Sequence, residues 1–376
     1  MADKVVVSVG TKRGLFLLEA DRNRSSWKVT GPLLKGWQIF HAVVDTRGTP
    51  RVHAAAVSNT FAATTVSGGL SDLKLDAAKK PPIPPKLLPG QAKFIKKWKL
   101  PSDPRIWHIE PGRASEKGVL YAGVAPAALF RSEDDGKTWA EVKGLSKHSS
   151  RKNWMPGAGG LALHSIQLDP RDSNRMYVGI SSAGIFRTDN GGKSWKPANK
   201  GITSFEGDVL KEGAVGTCVH KLLLHPGKPG RLFQQNHVGV YRTDNGGDSW
   251  DRIDKGLPWE FGFGLALNPA DPDTCFVTPL EPQGGTYRAT AGKLRVYQLK
   301  GANGAPAWDE LGNGLPSEDA YLSVLREGMT NDALQPVGVY VGTGTGQLFH
   351  SADGGASWRA IAATLPPILS VSAAVV

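Results

Sequence analysis

The stretch Arg187–Trp195 reads RTDNGGKSW, and three other stretches repeat it. Arg131–Trp139 reads RSEDDGKTW, Arg242–Trp250 reads RTDNGGDSW and His350–Trp358 reads HSADGGASW. Each follows an apolar pair (Leu129-Phe130, Ile185-Phe186, Val240-Tyr241, Leu348-Phe349), so an aromatic stands nine residues before every Trp. The simplest reading is a short strand, a tight Asp/Asn-Gly turn and a second strand that starts at Trp.

Upstream of those pairs, Tyr121, Tyr177, Phe233 and Tyr340 sit in short β-rich runs. Further upstream, apolar strands end in Asp-Pro, His-Pro or Asn-Pro: Ile166–Asp169, Leu222–His225 and Leu265–Asn268. Each repeat is therefore a unit of about four strands, the pattern of a propeller blade. Full motifs end at Trp139, Trp195, Trp250 and Trp358, and degenerate ones end near Trp27, Leu73 and Trp308. The sequence thus predicts an all-β, seven-bladed propeller over residues 1–376 as a single domain, with six blades as the alternative count. The chain begins mid-blade with Val5–Val9 and ends with the apolar Ile368–Val376. This last stretch is expected to supply the inner strand of blade 1 and to close the ring.

Composition agrees with a packed β protein. The 376 residues include 46 Gly and 26 Pro, below the level of low-complexity chains, and 11 Trp supply core material. No apolar run is long enough for a membrane helix. The first residues lack the h-region of a signal peptide, and two Cys cannot build a disulfide framework, so a cytoplasmic location is the expectation.

The S-x-D-x-G-x-T-W pattern resembles the Asp-box of BNR-repeat propellers, which include bacterial sialidases, the sortilin luminal domain and photosystem assembly factors. The resemblance covers nearly the whole chain as repeats. It implies the fold, with Asp134, Asp189, Asp244 and Asp353 capping turns and the four Trp packing between strands. It does not carry a function, because the motif is structural. Sialidases hold a sugar carboxylate with three Arg and use a Tyr–Glu pair with an Asp acid. Here their Arg-Ile-Pro segment before the first repeats is missing, with Arg13 in KRGLF the Arg nearest that place, and Tyr321 with Glu318 or Asp319 is a set that could stand for the Tyr–carboxylate group.

Aligning the blades brings out histidines. His108, His164 and His220 each stand 13 residues before the aromatic of the next strand (Tyr121, Tyr177, Phe233), at the start of an innermost strand. His41 has the same context in blade 2, whereas blade 6 has Phe263, blade 7 has Tyr321-Leu322 and blade 1 has Leu369-Ser370. His237, and Glu281 of blade 6, fall in loops that reach the same face. Glu110 is two residues after His108 and so shares its side of the strand. Imidazoles converging on a channel mouth suggest a divalent transition metal, zinc first, held by His41, His108, His164, His220 and His237. Its bound water would become a nucleophile near neutral pH, with Glu110 or Glu281 handling protons. The alternative is a structural ladder, each His bonding a neighbouring blade's backbone. Cys218, two residues before His220, reads as a buried inert thiol.

Long connections flank the same face. Trp139 to His164 and Trp195 to His220 each span 25 residues, against 13 for Trp250–Phe263. A Lys/Pro-rich insertion at about 74–104, between blades 2 and 3, reads as an ordered lid packed by Phe94, Ile95 and Trp98. It concentrates part of the net charge of +11. Lys96 and Lys97, with Arg151, would hold an anionic small-molecule substrate. No nucleic-acid-reading motif accompanies the charge, so neither nucleic acid nor membrane is the expected partner.

These readings favour a metal-dependent hydrolase of an ester, lactone or phosphoester at the channel mouth. The alternatives are a non-enzymatic interaction module and a sialidase-like glycoside hydrolase.

Overall fold

The structure is a computed structural model that describes residues 4–58, 62–282, 289–300 and 306–376. It contains seven four-stranded antiparallel sheets, the blades of a seven-bladed propeller. The innermost strands of blades 2 to 7 are Gln38–Asp45, Arg105–Pro111, Leu163–Leu168, Val219–Leu224, Gly262–Asn268 and Met329–Asn331. The innermost strand of blade 1 is Ile368–Val375, which pairs antiparallel with Lys4–Thr11 from Val5↔Val375 to Thr11↔Ile368. The innermost strands touch one another in cyclic order around the axis. Both ends of the chain therefore meet in one sheet, and the hydrogen-bonding edge that blade 1 would otherwise present to the channel is covered.

The RTDNGGKSW-type turns share one hydrogen-bond pattern. In blade 4, Thr188 Oγ1 accepts the Gly192 N–H at 3.0 Å and Asn190 Oδ1 accepts the Ser194 N–H at 2.9 Å. Blade 7 repeats this with Ser351, Gly355, Asp353 and Ser357. The Gly-Gly pairs sit at φ +68° and +87° in blade 4 and +70° and +97° in blade 7. Two successive left-handed residues are what glycine tolerates best. The capping residue is thus Asp134, Asn190, Asn245 or Asp353. Asp189 and Asp244 stand one position earlier and do something else: Asp189 pairs with Arg175 at 2.8 Å, and Asp244 with Arg231 at 2.5 Å. The Trp that ends each motif is buried, and its indole N–H donates to a backbone carbonyl: Trp195 to Gly192 at 3.2 Å, Trp250 to Ala198 at 2.8 Å.

The core lies between blades rather than in one central mass. One cluster joins Tyr121 and Leu129 of blade 3 to Ile166, Val178 and Phe186 of blade 4. Tight approach across such an interface explains Gly123, where an added Cβ would lie 2.4 Å from Leu163 O of the next blade. Within the 74–104 insertion, Pro89–Trp98 is a helix. Ile95 is buried, and the Gln91 amide donates to the Arg151 and Trp154 carbonyls at 3.1 and 3.0 Å. Trp98, in contrast, is exposed. No helix among the described residues is long and apolar enough to cross a membrane.

Candidate functional site

Six of the seven innermost strands carry a register shift near their start, and it passes over a single residue each time: Phe40, Trp107, His164, His220, Phe263 and Leu369. A β-bulge of this kind re-aims side chains at a rim. His41 and His108 lie one residue beyond the bulge, so they are not equivalent to His164 and His220, as the 13-residue spacing of His108 and the sequence context of His41 implied. The reason is hairpin length. Glu110 pairs with Tyr121, eleven residues away, whereas Gln167 pairs with Tyr177, ten residues away.

The five-histidine centre expected from the sequence is therefore divided. His164 is wholly buried, with Nε2 donating to Val219 O at 2.9 Å and Nδ1 against Ser165 Oγ at 3.1 Å. Burial, aided by Arg326, pulls its pKa down to about 3. Both nitrogens are in use, so His164 ties blade 4 to blade 5 and does not serve as a ligand. His220 makes the corresponding bond from Nδ1 to Gly262 O of blade 6, at 2.6 Å.

The other histidines fall into two groups of donor atoms, each within 4.8 Å: His41 with His108 and Glu327, and His220 with His237 and Cys218. Glu327 was not among the expected site residues. It stands 13 residues before Tyr340, the same spacing as His164 before Tyr177, so the rule that found the histidines also reaches it. The exposed Tyr321, expected in its place, lies eight residues ahead of blade 7's innermost strand, whereas Glu327 lies two residues ahead of it and bridges to Ser370 of blade 1.

Glu327 is a buried anion between two cations. His108 Nδ1 lies 3.3 Å from Glu327 Oε1, His108 Nε2 lies 3.1 Å from Glu110 Oε2, and Lys221 Nζ pairs with Glu327 Oε2. Burial would raise the Glu327 pKa, but the Lys221 and His108 charges hold it well below the usual carboxylate range. Burial pulls His108 down, yet the Glu327 and Glu110 carboxylates outweigh it and push the imidazole up to about 9. His41, whose Nδ1 accepts the Ile109 N–H at 3.3 Å, is held neutral by burial and by the neighbouring His108 charge. The network of two carboxylates, one ammonium and one imidazolium is already balanced. A metal at His41, His108 and Glu327 would have to displace the His108 proton beside the Lys221 ammonium, so the donor set fits a cation poorly.

Above Glu327 the channel mouth opens into a cavity of about 400 Å³. The bulge residues Phe40, Trp107 and Phe263 wall it together with Lys12, Arg105 and Arg326. Arg105 lies over the Phe40 ring at 5.4 Å, and Arg326 over Phe263 at 5.1 Å and Trp107 at 6.0 Å. At the opposite side of the network Glu110 lines a second cavity of about 470 Å³ with Arg113 and Gln167.

The remaining expected residues stand apart from this mouth. Arg151 is buried, donates to Ala127 O at 2.9 Å and lies over Trp154 at 5.5 Å, so it pins a loop and is not placed to bind substrate. Lys96 and Lys97 are exposed on the insertion helix, with Lys97 over Trp98 at 5.2 Å. Glu281 pairs through its backbone with Ala289 and is not part of the Glu327 network. The insertion reaches the site through Leu87, Ile95 and Pro101, which pack around a small crevice shared with Arg105 and Trp107.

No protein-family model matches the chain. It is 27% identical to a xyloglucanase from Paenibacillus sp over 256 residues, 62% of this chain and 23% of that enzyme. It is 35% identical to vacuolar protein sorting/targeting protein 10 of Colletotrichum graminicola over 139 residues, 34% of this chain and 8% of that protein. The chain thus spans about a quarter or less of the length of these relatives. Among solved structures, a putative 6-phosphogluconolactonase from Bacteroides fragilis superposes with a TM-score of 0.55 at 9% identity, covering 98% of both chains. An ancestral GH74 enzyme gives 0.51 at 16% identity over 83% of this chain and 36% of that one. YCF48 from Cyanidioschyzon merolae gives 0.51 at 14% identity over 87% and 89%. At such identities the structures attest the fold alone. The xyloglucanase and the vacuolar protein sorting/targeting relatives fit a group of propellers to which the glycosyl hydrolase label is attached.

Proposed function

We propose that the chain binds a small acidic saccharide at the channel mouth and hydrolyses a glycosidic bond in it. The observation that carries this reading is the cavity itself: aromatic walls from Phe40, Trp107 and Phe263, with Lys12, Arg105 and Arg326 around an ionised Glu327. Its volume of about 400 Å³ suits a mono- or disaccharide. Aromatic faces stack sugar rings, and guanidinium groups hold a carboxylate or phosphate. The glycoside hydrolases among the relatives supply the reaction class. Glu327, kept ionised, is suited to support the positive charge that develops on the sugar ring. The cations argue for an acidic sugar rather than the neutral xyloglucan of those relatives' names.

Binding without turnover is the second reading, and one observation favours it. Glycosidases use two carboxyl groups, and Glu327 is the one carboxylate among the described residues that line the cavity. The metal-dependent ester or lactone hydrolysis expected from the sequence has less support, because its ligand set is divided.

Calorimetric titration with uronic acids, sialic acid and sugar phosphates should give binding that neutral xyloglucan oligosaccharides do not. Arg326→Ala should weaken it at least tenfold. Equal affinity for neutral and acidic sugars would count against the reading. Fluorogenic uronides and sialosides then separate hydrolysis from binding alone.

A further inference from the structure

Cys218, His220 and His237 lie on the same face of blade 5 and take no part in the proposed saccharide site. Cys218 immediately precedes the innermost strand, and His237 follows the second strand, Leu232–Asn236. The pairing Val219↔Asn236 sets them side by side, and the His237 N–H donates to Cys218 O at 2.9 Å. The bulge at His220 brings its ring to 5.4 Å from the His237 ring. The three donor atoms lie within 4.8 Å of one another, with Cys218 and His220 buried and His237 half-buried.

The hydrogen bond of His220 fixes which nitrogen is on offer. Nδ1 faces a carbonyl, Gly262 O, at 2.6 Å, so it carries the proton and Nε2 carries the lone pair. An imidazole whose second nitrogen is anchored to a backbone carbonyl is the arrangement that orients metal-binding histidines. Phe205, Phe261 and Phe263 surround the pair: Phe205 is 4.8 Å and Phe261 5.0 Å from His237, and Phe263 is 4.3 Å from His220. Phe205, half exposed, comes from the long connection between blades 4 and 5 and lies over His237.

We propose that Cys218 Sγ, His220 Nε2 and one His237 ring nitrogen form a three-ligand site for a zinc-type transition metal, with the fourth position open. One thiolate and two imidazoles match the borderline softness of Zn²⁺ and of Co²⁺. Binding replaces the thiol proton of Cys218, which is released to solvent, by the metal.

The test uses tag-free, full-length protein stripped with chelator and titrated with Co²⁺. The proposal predicts one equivalent bound, a near-ultraviolet thiolate-to-cobalt charge-transfer band, and loss of that band when Zn²⁺ is added. Cys218→Ser should abolish the band, and His237→Gln, a change at a half-exposed turn, should weaken affinity at least tenfold. Cys275→Ala, in the blade 6 core, should leave band and affinity unchanged. Circular dichroism confirms that each variant is folded. The proposal is overturned if excess cobalt produces no thiolate band, or if the band survives in Cys218→Ser. Sugar binding at the channel mouth is a separate measurement and decides neither result.

Discussion

Glu327 shows how much one buried charge can organise. Lys221 and His108 both face it, and all three side chains are nearly inaccessible. Removing one partner of such a set leaves the others desolvated without compensation, which costs about 3–5 kcal/mol. Glu327→Gln should therefore lower stability by roughly that amount in urea unfolding, while the double variant Glu327→Gln/Lys221→Met should recover much of the loss. Equal losses in the single and double variants would mean that the pair is not coupled. The turn residues make a smaller and more local test. Asn190 accepts the Ser194 N–H and the neighbouring Asp189 does not, so Asn190→Ala should cost about 1 kcal/mol by the same measurement.

At the scale of elements, the decisive piece is Ile368–Val375. It supplies blade 1 with its innermost strand, and Val371 and Ile368 pack with Val5, Val7 and Val9. A chain truncated after Pro367 would leave the Lys4–Thr11 strand as an open edge facing the channel. Such a variant should elute as soluble aggregate in size-exclusion chromatography, and a synthetic peptide of residues 366–376 should restore the monomer peak. The long connections behave as packed structure rather than as free loops. The one before His164 buries Trp154 completely and anchors the insertion helix through Gln91. Their length is legible in the residue spacing, but the role of Arg151, expected to bind substrate, is not. Only the packing shows its guanidinium turned inward to Ala127 O.

For the whole molecule, the titration of buried histidines sets the pH response. Burial pulls His164 and His350 down to about 3 and His53 to about 4, from a usual 6.5. Each is neutral in the folded protein and takes up a proton on unfolding, so the unfolded state binds more protons below about pH 6.5. Stability is complete above that value and falls as pH drops toward 4, by about 1.4 kcal/mol per pH unit for each fully titrating group. His108 has the opposite sign. Its pKa is raised to about 9, so its contribution is complete below 6.5 and disappears as pH rises through 9. Urea midpoints should rise steeply from pH 4.5 to 6.5 and decline modestly toward 9.5. A flat profile between pH 5 and 6.5 would mean that these rings are accessible when folded.

The repeat by itself determined the blade architecture, the closing strand and the face on which histidines gather, because these follow from local periodicity and turn chemistry. Glu327 too stands in the sequence at 13 residues before Tyr340, but the insertion ahead of blade 7 blurs the register there and makes Tyr321 the equivalent by distance from Trp308. What only the tertiary structure decided is which side chains share a centre. One additional residue in the blade 3 hairpin shifts His108 past the bulge, and backbone carbonyls of the next blade claim His164 and one nitrogen of His220. The first choice rests on which residues pair across one hairpin, and the second on contacts between blades; counting residues to the next aromatic encodes neither.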